Sequence, residues 1–435
     1  MIAGLYGAHV EERRRRAEAA CAAAGFDGMV IHSGSPFTYY ADDQDAPFRR
    51  TPHFAAWTPL AGPHHLLHVR PGAKPVLVRV APEDYWYEQA PLGTPYWAEA
   101  FEIRETPDAA AAWKELKLSA RTAYVGDAPD AARAAGVAEA AINPKELLAR
   151  LDWDRSYKTP YEVACLEAAT RKAARGHLAA KAAFLGGASE LEIHHAYVVA
   201  AGCVDHELPY GSIVALDEKG AILHYENKRS TRNGRVLLID AGALEAGYGS
   251  DITRTWTTHD CDPTFVALVE GVDRLQLELC RRVKPGLKYL DLHHAAHGMI
   301  ADLLHELGVL KKGGAAALEA GLTLPFFPHG LGHFLGIQVH DVAGRQTASE
   351  GGVTPPPAHY PYLRTTRVVE PGMCFTVEPG VYFIPMLLRA YRSGPKADLI
   401  DWSLVDRLTP CGGVRIEDNL VVTADGHRNL TRPCI

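Results

Sequence analysis

Short apolar runs alternating with Ala-rich stretches mark the first third of the chain. Gly28–His32, Leu66–Val69, Pro75–Val80 and Thr122–Gly126 read as strands, and Glu11–Ala24 and Ala128–Ala141 as helices. Such alternation predicts an α/β domain over residues 1–152. Around Leu151–Ser156 the pattern changes. Tyr161–Phe184 is a long amphipathic helix and Ser189–Cys203 a second, opened by the capping signals Thr159-Pro160 and Ser189 with Glu192. From Val214 onward strand-like runs dominate, at 213–216, 221–225, 236–241, 252–257, 373–378 and 414–422. Helices near 263–282 and 290–307 separate them. Residues 153–435 are therefore predicted to form an α+β domain with a mostly antiparallel sheet and helices on one face. The proline-dense 354–361 reads as a stiff surface loop.

A chain of 435 residues is too long for one ordinary core, which agrees with two domains. Its 45 basic and 52 acidic residues leave a net charge of −7, so no basic surface offers itself to nucleic acid. The run Arg13–Arg16 lies among Glu11, Glu12 and Glu18 and is expected to be a solvated helix face. Glu18 and Asp27 interrupt the Ala-rich stretch after it, which argues against a signal peptide. No uninterrupted apolar stretch is long enough to span a bilayer. Eight scattered cysteines without a CxxC pair point to reduced thiols and a cytoplasmic location, and against zinc-finger chemistry. Neither a Gly-x-Ser-x-Gly elbow nor a strand-linked GxGxxG is present.

The chemistry is concentrated in the second half. Asp240 closes the apolar run Val236–Ala241, and Asp251 opens the next one after Gly242, Gly247 and Gly249. A hairpin turning at Glu245-Ala246 would pair the two aspartates across the strands. Carboxylates so placed repel unless a proton or cation lies between them. The pair fits either a capped hairpin or a cation site. Glu378 and Glu417 each lie in an apolar, β-branched run, where an unpaired carboxylate is costly to bury. Taken with the aspartates, they make four acids in need of cations. Pro328-His329-Gly330-Leu331-Gly332-His333 has too many glycines for a regular helix and reads as a tight loop delivering at least one imidazole. Carboxylates with one imidazole suit manganese or cobalt, and also zinc or ferrous iron. Asp42-Asp43-Gln44-Asp45 alone reads as a solvated turn.

The ordered set Asp240, Asp251, His333, Glu378, Glu417 in these contexts resembles the pita-bread metallopeptidase family of methionine aminopeptidases, aminopeptidase P and prolidases. Longer stretches, including Pro209–Leu216, Ile222–Tyr225, Val339–Val342 and Tyr362–Arg367, resemble its bacterial Xaa-Pro dipeptidase branch and the related organophosphorus acid anhydrolases. The resemblance spans the whole chain. It implies a creatinase/prolidase-like domain at 1–152 and a catalytic domain with a curved, mostly antiparallel sheet at 153–435. It also implies two divalent ions per subunit, manganese foremost, with cobalt or zinc as alternatives. Asp240, Asp251, His333, Glu378 and Glu417 would be the metal ligands, with Asp251 and Glu417 bridging. An activated hydroxide would attack the peptide carbonyl, and Glu378 would shuttle the proton. His224 and His340 would bind substrate and oxyanion, and Arg415 would orient a ligating carboxylate. Tyr210, His329 and Arg364 would line the proline and carboxylate end of the pocket. Asp43 would reach a neighbouring subunit's site in a homodimer. The loop Arg389–Asp401, within 384–405, is expected to shape substrate preference. The implied activity is hydrolysis of Xaa-Pro dipeptides. The alternatives are aminopeptidase P-type trimming of longer peptides, with organophosphate hydrolysis as a side reaction, and a metal-free peptide-binding protein.

Overall fold

A computed structural model describes residues 2–88 and 90–435. Its internal contacts divide the chain into two compact units, Met1–Ala164 with Thr347–Gly352, and Cys165–Gln346 with Val353–Ile435. The helices in chain order are α1 (Tyr6–Ala23), α2 (Pro52–Ala55), α3 (Ala109–Lys114), α4 (Pro129–Ala134), α5 (Lys145–Arg155), α6 (Pro160–Leu185), α7 (Glu190–Ala201), α8 (Pro263–Arg282), α9 (Tyr289–Glu306), α10 (Gly314–Glu319), α11 (Pro385–Arg392) and α12 (Trp402–Leu408).

The first unit is built on a mixed five-stranded sheet of β1 (Gly28–His32), β2 (Leu66–Val69), β3 (Val76–Val80), β4 (Glu102–Thr106) and β5 (Thr122–Val125), in the order β4-β3-β2-β1-β5. Buried Val30, Leu66, Val76, Val78 and Tyr124 form its core with Ala112 and Ala132 of α3 and α4. β4 escapes sequence reading because Glu-Ile-Arg-Glu-Thr is polar; it is an edge strand held by parallel pairing to β3. The helix expected over 128–141 stops at Ala134, since Gly136 adopts a left-handed φ of 89° and only a 3₁₀ turn follows at Glu139–Ala141. The arginine run is not a uniformly solvated face. Arg14 and Arg15 pair with Glu11 and Glu12, but Arg13 is buried and Arg16 donates to the carbonyls of Asp154 and Tyr157 at 2.8 and 2.7 Å.

In the second unit α7 begins where expected. The Ser189 side chain and the Glu192 carboxylate cap each other's backbone, and Gly202 at φ 71° ends the helix. Its strands are β6 (Ile213–Leu216), β7 (Val236–Asp240), β8 (Leu244–Glu245), β9 (Tyr248–Gly249), β10 (Thr253–Thr257), β13 (Cys374–Val377), β14 (Gly380–Tyr382), β15 (Gly413–Arg415), β16 (Asp418–Val422) and β17 (His427–Asn429); β11 (Gln346–Ala348) and β12 (Gly351–Val353) fall mostly in the first unit's Thr347–Gly352. Antiparallel ladders run β10-β7-β6, β13-β16-β17 and β14-β15. Phe184, Ile193 and Tyr197 of the helices pack on Val214, Leu237 and Ile239.

Three expectations fail here for local reasons. Residues 221–225 form no strand. Asp217, at φ 56°, accepts hydrogen bonds from the Arg235 and Val236 amides and turns the chain into a 3₁₀ segment, Asp217–Ala221. Leu223 and Tyr225 then pack on Ile213 and Leu238 without joining a ladder. The run 414–422 breaks at Ile416-Glu417, where the chain leaves its pairing with β14 and takes up pairing with β13. Residues 385–392, expected as part of a loop, are the helix α11, and a 3₁₀ turn follows at Ala397–Leu399.

Candidate active site

The four acids stand where ladders stop. Asp240 is the last residue of β7, and Asp251 lies two residues before β10. Glu378 falls between β13 and β14, and Glu417 between β15 and β16. At such breaks a side chain can turn out of the sheet's alternation and several strands can aim at one point. The aspartates are not direct cross-strand partners. Asp240 pairs with Thr253, because the hairpin turns at Ala246-Gly247, one residue later than expected. Both turn residues have positive φ, 52° and 93°, as a type I′ hairpin turn demands. The shift of two in register keeps both carboxylates on one face, and the Tyr210 hydroxyl donates to Asp240 Oδ1 at 2.7 Å and Asp251 Oδ1 at 2.5 Å.

The His329–His333 segment is irregular, and its glycines are there for contact. A side chain at Gly332 would collide with the Thr376 carbonyl and the Tyr289 hydroxyl. That closeness lets His333 lie against β13, its amide hydrogen-bonded to Thr376 Oγ1 at 3.2 Å and its Nδ1 3.0 Å from the Phe334 carbonyl. Nε2 is left facing inward, 3.2 Å from Asp251 Oδ2 and 3.7 Å from Glu378 Oε1. One donor atom each from Asp251, His333 and Glu417 lies within 4.8 Å of the others, all buried. A bridge from Thr253 to Glu417 and a 2.7 Å bond from Thr253 Oγ1 to Glu417 Oε2 bring the last acid in.

The charges around this point do not balance. Arg415 donates to Asp240 Oδ2 at 2.7 Å and to Thr253 Oγ1 and the Tyr382 hydroxyl at 3.2 and 2.8 Å. It is one cation among four carboxylates. Burial, then the charges of Asp251, Glu378 and Asp240, drives the Glu417 carboxyl far above the usual range. Burial and Asp240 raise Asp251 as well, and burial pushes Glu378 up to about 7. Although burial pulls the other way, the Asp251 hydrogen bond and the Asp251 and Glu378 charges hold the His333 imidazole above its ordinary value. Glu417 Oε1 is fully buried and has no hydrogen-bond partner among the described residues. A buried, unsatisfied carboxylate oxygen is costly. Divalent cations would satisfy it and reverse the repulsion that raises the neighbouring acids, so this donor set fits hard or borderline metal ions.

His333 also lines a cavity of about 210 Å³, together with Phe334, His340, Asp341, Arg345 and Arg364. His340 packs edge-on against His333, with ring centroids 4.4 Å apart. His340, Arg364 and His224 are exposed, whereas the acids are buried or half-buried. His224 sits on a turn within electrostatic range of His329 and His340. His329 approaches Glu378 Oε2 at 3.8 Å, and its Nε2 is 2.8 Å from the Tyr382 hydroxyl. Asp43 belongs to the first unit, on an exposed turn where its amide donates to Asp42 Oδ1. Two residues that join this network went unread in the sequence, Tyr382 and Thr253. Tyr382 is fully buried and its hydroxyl joins Arg415 to His329; Thr253 joins Arg415 to Glu417. Their only sequence signal is adjacency, since each lies within four residues of a candidate acid.

A buried excess of acid around an imidazole, open on one side to guanidinium and further imidazoles, is the chemistry of a metal-dependent hydrolase. Residues 164–424 match metallopeptidase family M24, and residues 4–153 match the amino-terminal domain of Xaa-Pro dipeptidase. With the majority of its length so matched, the chain belongs to metallopeptidase family M24. It is 45% identical over 437 aligned residues to the Xaa-Pro dipeptidase of Marinobacter nauticus, covering 100% of this chain and 99% of that protein. The Xaa-Pro dipeptidase of Pseudoalteromonas atlantica is 41% identical, covering 99% and 98%. Among solved structures, proline aminopeptidase P II from Yersinia pestis superposes with a TM-score of 0.75 at 25% identity, covering 98% of this chain and 97% of that one. The curved, open, mostly antiparallel sheet is therefore the pita-bread fold.

Proposed function

We propose that this protein hydrolyses Xaa-Pro dipeptides at a centre holding two divalent cations, manganese foremost. The observation that carries the reading is the orphaned, buried Glu417 among converging acids, in a chain alike over its whole length to Xaa-Pro dipeptidases. Asp240, Asp251, His333, Glu378 and Glu417 would hold the metals, which when bound supply Lewis acidity and lower the pKa of a water. Arg415, fixed to Asp240, would keep that carboxylate turned inward. Tyr210 would do the same for Asp240 and Asp251 from the other side. Arg364 at the rim would pair with the substrate's terminal carboxylate, and His340 and His224 would donate to the peptide carbonyl as charge develops on its oxygen. His329, steadied by Tyr382, would border the proline ring. Glu378 would take the proton from the attacking water and deliver it to the proline nitrogen as the C–N bond breaks.

A short substrate is favoured by Arg364, which reads a carboxylate close to the scissile bond. The likeness to an aminopeptidase P structure supports a second reading, trimming of longer peptides. A metal-supplemented panel of Leu-Pro, Ala-Pro and a matching Xaa-Pro-Xaa tripeptide separates them. Dipeptide hydrolysis with the tripeptide spared is expected; the reverse preference overturns the dipeptidase reading.

We place the domain junction at 152/153, a position supported by matched segments that end at 153 and resume at 164. A homodimer is proposed as well. Phe37, Tyr39 and Tyr40, exposed beside Asp43, offer an apolar surface for a second copy and a route for Asp43 to its site. The eight free cysteines support a cytoplasmic setting, and no helix among the described residues is long and apolar enough to cross a membrane.

A further inference from the structure

Two of the cysteines are placed to react with each other. Beyond the bridge from Thr253 to Glu417, Thr255 Oγ1 donates to the Arg415 carbonyl at 3.1 Å, so the β10 and β15 segments run antiparallel side by side. β10 then leads into a turn at His259-Asp260, just before Cys261, and β15 is preceded by the 3₁₀ turn Thr409–Cys411. Flanking side chains tie the two turns together. Arg407, just before Cys411, pairs with Asp262 Oδ2 at 3.0 Å and donates to Thr264 Oγ1 at 2.8 Å, just after Cys261. The two thiols lie close enough for each to shift the other's ionisation. Both residues are buried, each with 5% of its surface open, so a bulky oxidant is kept from the pair.

We propose that Cys261 and Cys411 are a dithiol site that closes reversibly to an intramolecular disulfide when it meets hydrogen peroxide. The neighbouring Cys411 thiol holds the Cys261 thiol below its usual range, and the Arg235 charge lowers it further. Cys261 is therefore the first to react. Its thiolate attacks one peroxide oxygen, the O–O bond breaks, and the departing hydroxide takes up a proton, leaving a sulfenic acid and water. Cys411, giving up its proton, attacks that sulfur; the S–S bond forms, the S–O bond breaks, and the oxygen leaves as a second water. Two thiols and one peroxide become one disulfide and two waters. A dithiol reductant reverses the change. The proposal rests on the packing of these two segments and not on the hydrolytic reading.

The full-length protein treated with hydrogen peroxide, before and after dithiothreitol, tests it by thiol titration under denaturing conditions and mapping of unreduced peptides. The thiol count is expected to fall from eight to six, with a Cys261–Cys411 linked peptide that vanishes on reduction. Cys411→Ser should instead leave a sulfenic acid on Cys261 that dimedone traps, while Cys434→Ser keeps the link. Retention of all eight thiols, a link between other cysteines, or over-oxidation of Cys261 without a linked peptide would overturn it. The wild-type peptide map decides the matter even where a variant folds poorly.

Discussion

Glu417 and Asp418 are consecutive carboxylates, 1% and 0% exposed, and they meet opposite environments. Neighbours in extended chain point to opposite faces. On one face Asp418 accepts from Arg254 Nη2 at 2.7 Å, Arg432 Nε at 2.7 Å and Asn429 Nδ2 at 2.8 Å. Despite full burial, Arg254 and Arg432 hold its carboxyl below the usual range. On the other face, among the described residues, Glu417 receives Thr253 alone and keeps one oxygen unpartnered; burial and three other acids drive it upward. A buried acid whose countercharge is encoded in the chain is part of the framework. One whose countercharge is missing is waiting for an ion from solution.

Removing that ion is the harshest way to break the contrast. Exhaustive chelation should lower Leu-Pro hydrolysis ~10³-fold or more, since metal-ion catalysis is worth several kcal/mol, and Mn²⁺ should restore it. Activity that survives chelation would place Glu417 with Asp418 as framework. Glu417→Ala should lose bound metal and activity together, by metal analysis and assay, yet leave the metal-free protein no less stable because an uncompensated buried charge is gone. His340→Ala is its counterpart: metal retained and turnover slowed by ~10²-fold, as for loss of an oxyanion donor. Asp418→Ala should do the opposite of Glu417→Ala. It should cost ~3–5 kcal/mol in denaturant unfolding by stranding Arg254 and Arg432, with the metal content of the folded fraction unchanged.

Acid offers the gentlest test. Burial holds His9 and His177 near pKa 4, below the unfolded value of 6.5. Between those values the unfolded chain binds more protons, so stability is full above about pH 6.5 and declines as pH falls toward 4. Asp418, depressed below the carboxylate range, contributes above about pH 4 and is lost only beneath it. Melting curves should therefore lose stability first in the histidine window, and His9→Gln should flatten that slope while Asp418→Asn should not.

The parts of the fold carried by local pattern were legible. α8 spans the residues its periodicity predicts, and the Ser189–Glu192 box starts α7. The convergence of the acids was legible through their number in apolar surroundings. Other features depend on partners far along the chain. Residues 221–225 look like a strand until Asp217 captures the Arg235 and Val236 amides at the start of β7, and β4 is too polar to read until β3 supplies its ladder. The aspartate register missed by two because one turn residue decided it. Tyr382 could not be read at all. A lone tyrosine after Gly-Val acquires meaning only once Arg415 and His329 meet its hydroxyl.

The Ala246-Gly247 hairpin also restricts how this stretch can change in length. Because strand side chains alternate, adding or deleting one residue between β7 and β10 would swing Asp251 to the opposite side from Asp240, whereas a change of two would only slide it along. Viable variants of the segment should therefore differ in length by even numbers, a parity rule imposed on its evolution by a two-residue bend.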